Sequence, residues 1–144
     1  MDKNILINIT FSFLIIVLII FYFYGITTDI YDQIASVVLI GVAVIILLSK
    51  NNSILDIAHF LYCAVCIPYI AIFSKNKHLL ILNILMLVVI IFTRYYYKKC
   101  ILNEKQNDEG FCTDLSHNLG LDWYLIFPVL LVTNVIRYYK IETT

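Results

Sequence analysis

Charge is scarce in this chain. Ten Lys and Arg and ten Asp and Glu make up 14% of its 144 residues, against about 25% in an ordinary soluble domain. The two signs cancel to a formal net charge of zero. There is no basic tail or arm to neutralise phosphates, which argues against nucleic acid as a partner. Glycine (4) and proline (2) are few, so low-complexity linkers and a loop-rich fold are excluded. Four cysteines are too few for the dense disulfide framework of a small secreted domain. Strict apolar–polar alternation is missing too. The run Phe13-Leu14-Ile15-Ile16-Val17-Leu18-Ile19-Ile20 has no period of two, which excludes the strands of a membrane barrel.

What is there is apolar. Hydrophobic residues make up 62% of the chain and the mean hydropathy is +0.90. The apolar residues gather in five runs, at 5–24, 30–49, 54–73, 79–97 and 119–139. A helix of about 20 residues, rising about 1.5 Å per residue, crosses a hydrocarbon core of about 30 Å. Lipid offers the backbone no hydrogen-bond partners, so with barrels set aside only helices can cross it. The abundance of β-branched Ile would favour strands in water, but not here. Enrichment in Ile, Asn, Lys and Tyr is also the bias that AT-rich coding produces. The expected fold is all-α: a multi-pass transmembrane helical bundle of five spans, one domain over residues 1–144, with the lipid bilayer as its solvent. Four spans, with the first or second run interfacial or re-entrant, is the alternative. The first run is longer than a signal-peptide core, and bulky Phe21-Tyr22-Phe23-Tyr24 offers no small-residue cleavage site, so it reads as retained.

Short connections force successive spans to be antiparallel neighbours. The one long connection is 98–118, where Asn107-Asp108-Glu109-Gly110 signals a turn and Thr113 or Asp114 offers a helix cap. Arg94-Tyr95-Tyr96-Tyr97 and Arg137-Tyr138-Tyr139-Lys140 read as interfacial aromatic belts with snorkelling cations. With the N-terminus inside, Lys3, Lys50, Arg94, Lys98, Lys99 and Lys105 are inside, and Lys75, Lys77, Arg137 and Lys140 are outside. The positive-inside rule therefore leans toward a cytoplasmic N-terminus. The sequons Asn8-Ile9-Thr10 and Asn51-Asn52-Ser53 lie in a span and in a tight loop, poor settings for glycosylation.

Polar residues inside spans are the places where chemistry would reside. Asn83 and Asn134 suit interhelical hydrogen bonds, or alternatively the lining of a solute path. Pro68 and Pro128 each remove a backbone donor and press on the carbonyl four residues earlier, at Ala64 and Tyr124. Each is a kink, a hinge or a free carbonyl. Small residues Ser36, Gly41, Ala58, Ala64 and Ala71 would let helices approach closely. Asp56, His59, Cys63 and Cys66 are spaced to form one stripe on an ideal α-helix, at about 100° per residue. Asp56 can alternatively serve the helix N-terminus.

Three chemistries suit that stripe. Cys63-Ala64-Val65-Cys66 is a CxxC, a spacing that lets two sulfurs meet within a turn. It resembles the in-span CxxC of the vitamin K epoxide reductase type of membrane oxidoreductase, also a helical bundle. The resemblance covers four residues and implies thiol–disulfide exchange at Cys63 and Cys66. That family has its second cysteine pair in a preceding loop, whereas Cys100 and Cys112 follow. Against it stands the ordinary role of free Cys as a small apolar packer. His59 with Cys63 would give a metal only two ligands where zinc wants four, so no metal site and no cofactor is expected. Asp56 and His59, with Asn83 or Asn134, would line a proton or ion path in a small carrier or channel. Cys100 and Cys112 flank a loop that a disulfide would close in an oxidising compartment. No catalytic constellation stands out. The leading expectation is a non-enzymatic structural, assembly or accessory membrane component, partnered by other membrane proteins or by further copies of itself.

Overall fold

The computed structural model describes residues 2–97, Gly120 and 123–143, without the side chains of residues 52, 123, 142 and 143. The connection 98–118, with Cys100, Cys112, Thr113 and Asp114, lies outside the described residues. Five helical rods account for almost everything described: α1 (Lys3–Phe23), α2 (Ile30–Leu48), α3, α4 (Lys77–Tyr97) and α5 (Trp123–Thr143). The rod α3 is composite, with an α-helical start (Asn52–Phe60), a π-helical middle (Leu61–Cys66) and an α-helical end (Ile67–Phe73). Each rod is long and apolar enough to cross a membrane. The first two are full-length helices of 21 and 19 residues, so the four-span alternative is not adopted. The molecule is an all-α bundle and a multi-pass membrane protein.

Helix starts follow from the residues just before them. A carboxylate or amide at the cap accepts a backbone N–H that the helix cannot satisfy itself. Asp2 accepts from Asn4, Asp29 from Tyr31, and Asn51 from Ser53 and Ile54. Asn76 accepts from His78 and Leu79. Asp56 lies in the second turn of α3, past the Asn51 cap. At the other end of α1, Ile26 N–H donates to Phe21 C=O and Gly25 N–H to Tyr22 C=O. This is the paired closure of a Schellman turn, and Gly25 takes the left-handed φ of 61° that it requires.

The fifth span is displaced from its expected range. The apolar run begins at residue 119, but Gly120 has a φ of 66° and is not helical. The helix starts at Trp123 and carries on through Tyr138, Tyr139 and Lys140 to Thr143.

The two prolines behave differently. Before Pro68, the N–H of Ile67 reaches back five residues to Tyr62 C=O, and the preceding turn widens into the π segment. Proline cannot donate the next bond of an α-helical ladder, so the wider register is retained up to it. Pro128 lies within a continuous α5.

Packing divides the bundle into two pairs joined by α3. Helix α1 packs on α2 and α4 packs on α5; α2 packs along α3, and the end of α3 packs on both α4 and α5. Leu14, Leu39, Ile46, Ile67, Leu80 and Phe127 are fully buried at these contacts. Ile9, Ile16, Val37, Val132 and Ile136 point outward, as they must in lipid. No hydrophobic force drives such helices together, so close van der Waals contact and interhelical hydrogen bonds decide the arrangement. Ala58, Ala71 and Ser36 are buried, as close packing requires. Gly41 is not part of that packing. It is exposed, and an added Cβ would meet nothing within 4 Å.

Candidate functional site

Two clusters of hydrogen-bonded polar side chains cross between helices of the bundle. The first is at the junction of α3, α4 and α5. Asn83 and Asn134 are 2% and 0% exposed. Asn83 Nδ2 donates to Asn134 Oδ1 at 2.8 Å and to Ile67 C=O at 3.2 Å. Asn134 Nδ2 donates to Leu80 C=O at 2.9 Å. Two amides thus tie three helices together, next to the Ile67–Pro68 bond where α3 changes register. Asn83 Oδ1 is buried and has no hydrogen-bond partner among the described residues.

The second cluster closes one end of the bundle, at the α3–α4 turn. Asp32, at the start of α2, is only 2% exposed. Its Oδ2 accepts the Lys75 N–H at 3.3 Å. Arg137, near the end of α5, donates from Nη2 to Ser74 C=O at 2.6 Å and from Nη1 to Ala71 C=O at 3.2 Å. Ser74 C=O and Lys75 N–H belong to the same peptide group. A carboxylate therefore holds its positive pole and a guanidinium its negative pole. Asn76 Nδ2 adds a bond to Ile26 C=O of the α1–α2 turn at 2.6 Å. Arg137 also provides the cation that a helix C-terminus favours, with two of the last carbonyls of α3 as its targets. It does not simply snorkel, as its Arg-Tyr-Tyr context suggests; it spans from α5 to α3.

The α3 stripe residues differ in burial. His59, Cys63 and Cys66 are buried and Asp56 is half-buried. Cys63 and Cys66 are thiols rather than a disulfide. The stripe spacing assumes 100° per residue throughout, but Leu61–Cys66 is π-helical, where each residue turns through less than that. Cys66 accordingly lines a shallow apolar groove beside α2, with Tyr31, Ala35, Val38 and Tyr69 among its walls and a volume of about 200 Å³. Asp56 Oδ1 is buried with no hydrogen-bond partner among the described residues. Among those residues, no group of three or more His, Cys, Asp or Glu side chains is placed to hold a metal ion.

A third feature lies at the opposite end of the bundle from the turn cluster. Arg94 lies over the rings of Tyr124 and Phe127, 5.8 and 5.4 Å from their centroids. Lys3 lies 5.1 Å from the ring of Tyr97. These contacts put cations over aromatic faces.

Sequence reasoning found Asn83 and Asn134 because an amide inside an apolar run is conspicuous. It missed Asp32 and Arg137 as bundle contacts, because each stands among charged and aromatic residues at a span end. The signal for Asp32 was its position three residues after the Asp29 cap, on the first turn of α2. The chain matches no family model, no curated protein and no solved structure.

Proposed function

We propose that this protein is a non-enzymatic structural or assembly component of a membrane, with the start of α1 facing the cytoplasm. The supporting observation is the use made of the interior amides. Asn83 and Asn134 bond to each other and to the carbonyls of Ile67 and Leu80, which suits a rigid spacer. Buried amide pairs of this kind fix helix register and contribute roughly 0.6–2 kcal/mol per bond in a bilayer. The orientation rests on the excess of Lys and Arg at the α1-start end.

Two measurements test this. After extraction in a mild, non-dissociating detergent, the 16.7 kDa chain should run in an assembly larger than a monomer–detergent complex; a strictly monomeric chain would sink the assembly role. In sealed vesicles, an impermeant maleimide applied from either side should leave Cys63 and Cys66 unmodified. Rapid labelling from one side would reveal a water path and favour a carrier.

A second reading has one observation in its favour. The groove at Cys66 opens sideways toward lipid and has apolar walls. That would suit a dithiol at Cys63 and Cys66 oxidised by a lipid-soluble quinone. Two thiols would become one disulfide, and their two protons and two electrons would convert quinone to quinol. Loss of free thiol on adding a short-chain quinone to the purified protein, abolished in C66A, would establish it.

A further inference from the structure

Helix α1 turns two polar side chains away from the bundle. Leu14 and Leu18 lie on its buried side. Asn8 and Ser12, four residues apart and so on one face, are exposed. The 21 residues of α1 rise about 31 Å, which matches a hydrocarbon core of about 30 Å. Counted from Lys3, Asn8 lies about 7.5 Å along the helix and Ser12 about 13.5 Å, close to the midplane. A long Lys or Arg can carry its charge back to water over such a depth; the short Asn side chain cannot. Neither Asn8 nor Ser12 has a side-chain hydrogen-bond partner among the described residues. An amide held in hydrocarbon without a partner is unfavourable. The apolar residues of α1 surround the helix and single out no contact face. The amide does.

We infer that Asn8 lies at the centre of a contact between two copies of this chain, α1 against α1. The inference rests on the assembly role proposed above and names its partner. The amide itself selects a second copy, because it carries both a donor and an acceptor and is complementary to itself. Both copies enter the bilayer the same way round, which sets the two Asn8 side chains at one depth. A twofold axis along the membrane normal then lets Nδ2 of each donate to Oδ1 of the other, an isologous contact. The bundle already uses such a pair internally, where Asn83 Nδ2 donates to Asn134 Oδ1 at 2.8 Å. The surroundings of Asn8 suit the contact. Ile5, Asn8, Ser12, Ile15, Ile19 and Tyr22 follow one another at intervals of three and four, the seven-residue seam of two helices packed knobs into holes. All six are exposed except half-buried Ile15. A polar Asn in such a seam fixes register and the number of copies.

The test uses the full chain in phosphatidylcholine vesicles, with donor-tagged and acceptor-tagged copies mixed and lipid added in steps. Energy transfer should exceed that of randomly scattered chains and fall as the copies are diluted. One interhelical hydrogen bond in a bilayer is worth about threefold in association, so losing the symmetric pair should weaken it about tenfold in N8L and in N8A. N8Q keeps donor and acceptor and should retain more association than N8L. V132L, on the outward face of α5, should change nothing. N8L removes no bond within its own chain, so its unfolding midpoint in excess detergent should not fall; this separates a lost contact from a lost fold. Association unchanged by N8L would overturn the inference and leave the assembly role to another surface. No transfer between unaltered copies would also overturn it. A larger assembly extracted from the native membrane would in that case contain a different protein, and the assembly role would stand without this contact.

Discussion

At the scale of single residues, the buried amides are the most exposed to change. Removing one side of a buried hydrogen bond leaves the other unsatisfied, at a cost of about 1–3 kcal/mol. N134A leaves Asn83 Nδ2 and Leu80 C=O short of a partner, so it should lower the midpoint of unfolding in a detergent titration by that order. Replacing both amides with Leu should recover much of the loss, since no polar group is then left stranded. Asp32 and Arg137 make a matching prediction. R137Q removes the charge that holds Ala71 and Ser74 C=O, and hydrogen bonds to a charged group contribute about 1.5–3 kcal/mol. D32N keeps an acceptor for Lys75 N–H and should cost less than D32A in the same titration. The sequence made the amides legible and left the two charges illegible. An Asn within an apolar run has one kind of place to go, whereas a charge at a span end can meet water, lipid headgroups or, as here, a neighbouring turn.

At the scale of elements, the five runs were readable because hydropathy is local, whereas the caps Asp2, Asp29, Asn51 and Asn76 were not singled out. The composite α3 was not readable either. A proline marks a break without saying whether the helix bends, as a removed bond allows, or widens, as the π segment before Pro68 does while Pro128 sits in an unbroken α-helix. That difference carries straight into the candidate site, since the angular alignment of Asp56, His59, Cys63 and Cys66 was reckoned on an ideal α-helix. P68A restores a donor to the backbone. It should let the π turn relax toward α-helical register and rotate the residues on one side of the turn relative to those on the other. Spin labels placed at lipid-facing Ile57 and Ile72 would report this as a changed distance to a fixed label on α1; an unchanged distance would show that packing, not Pro68, sets the wide turn. Gly41 gives the opposite expectation. Its outward face has room for a methyl group, so G41A should be neutral or stabilise by up to about 1 kcal/mol through helix propensity.

At the scale of the whole molecule, the number of spans was legible because lipid leaves so few solutions. Which helices touch was only half legible: neighbours in sequence were expected to pack and do, but nothing in the runs says that α3 also reaches α5. Five crossings place the start of α1 and the end of α5 on opposite sides of the membrane. Short epitope tags joined at the two ends should therefore be digested by protease from opposite faces of sealed vesicles. Digestion of both from one face would mean an even number of crossings.

The grip of Arg137 on Ala71 and Ser74 has a consequence for how the protein is made. A ribosome releases α5 after the third and fourth helices, so these enter the bilayer with their connecting turn unfinished and Asn83 still lacking its partner from α5. Until α5 arrives, the amide of Asn83 lies in the apolar span without its partner and the turn lacks the guanidinium that holds its carbonyls. A nascent chain halted before residue 123 should accordingly be recognised by quality-control proteases and degraded faster than a chain that includes α5, and the same shortened chain should be rescued when α5 is supplied as a separate peptide.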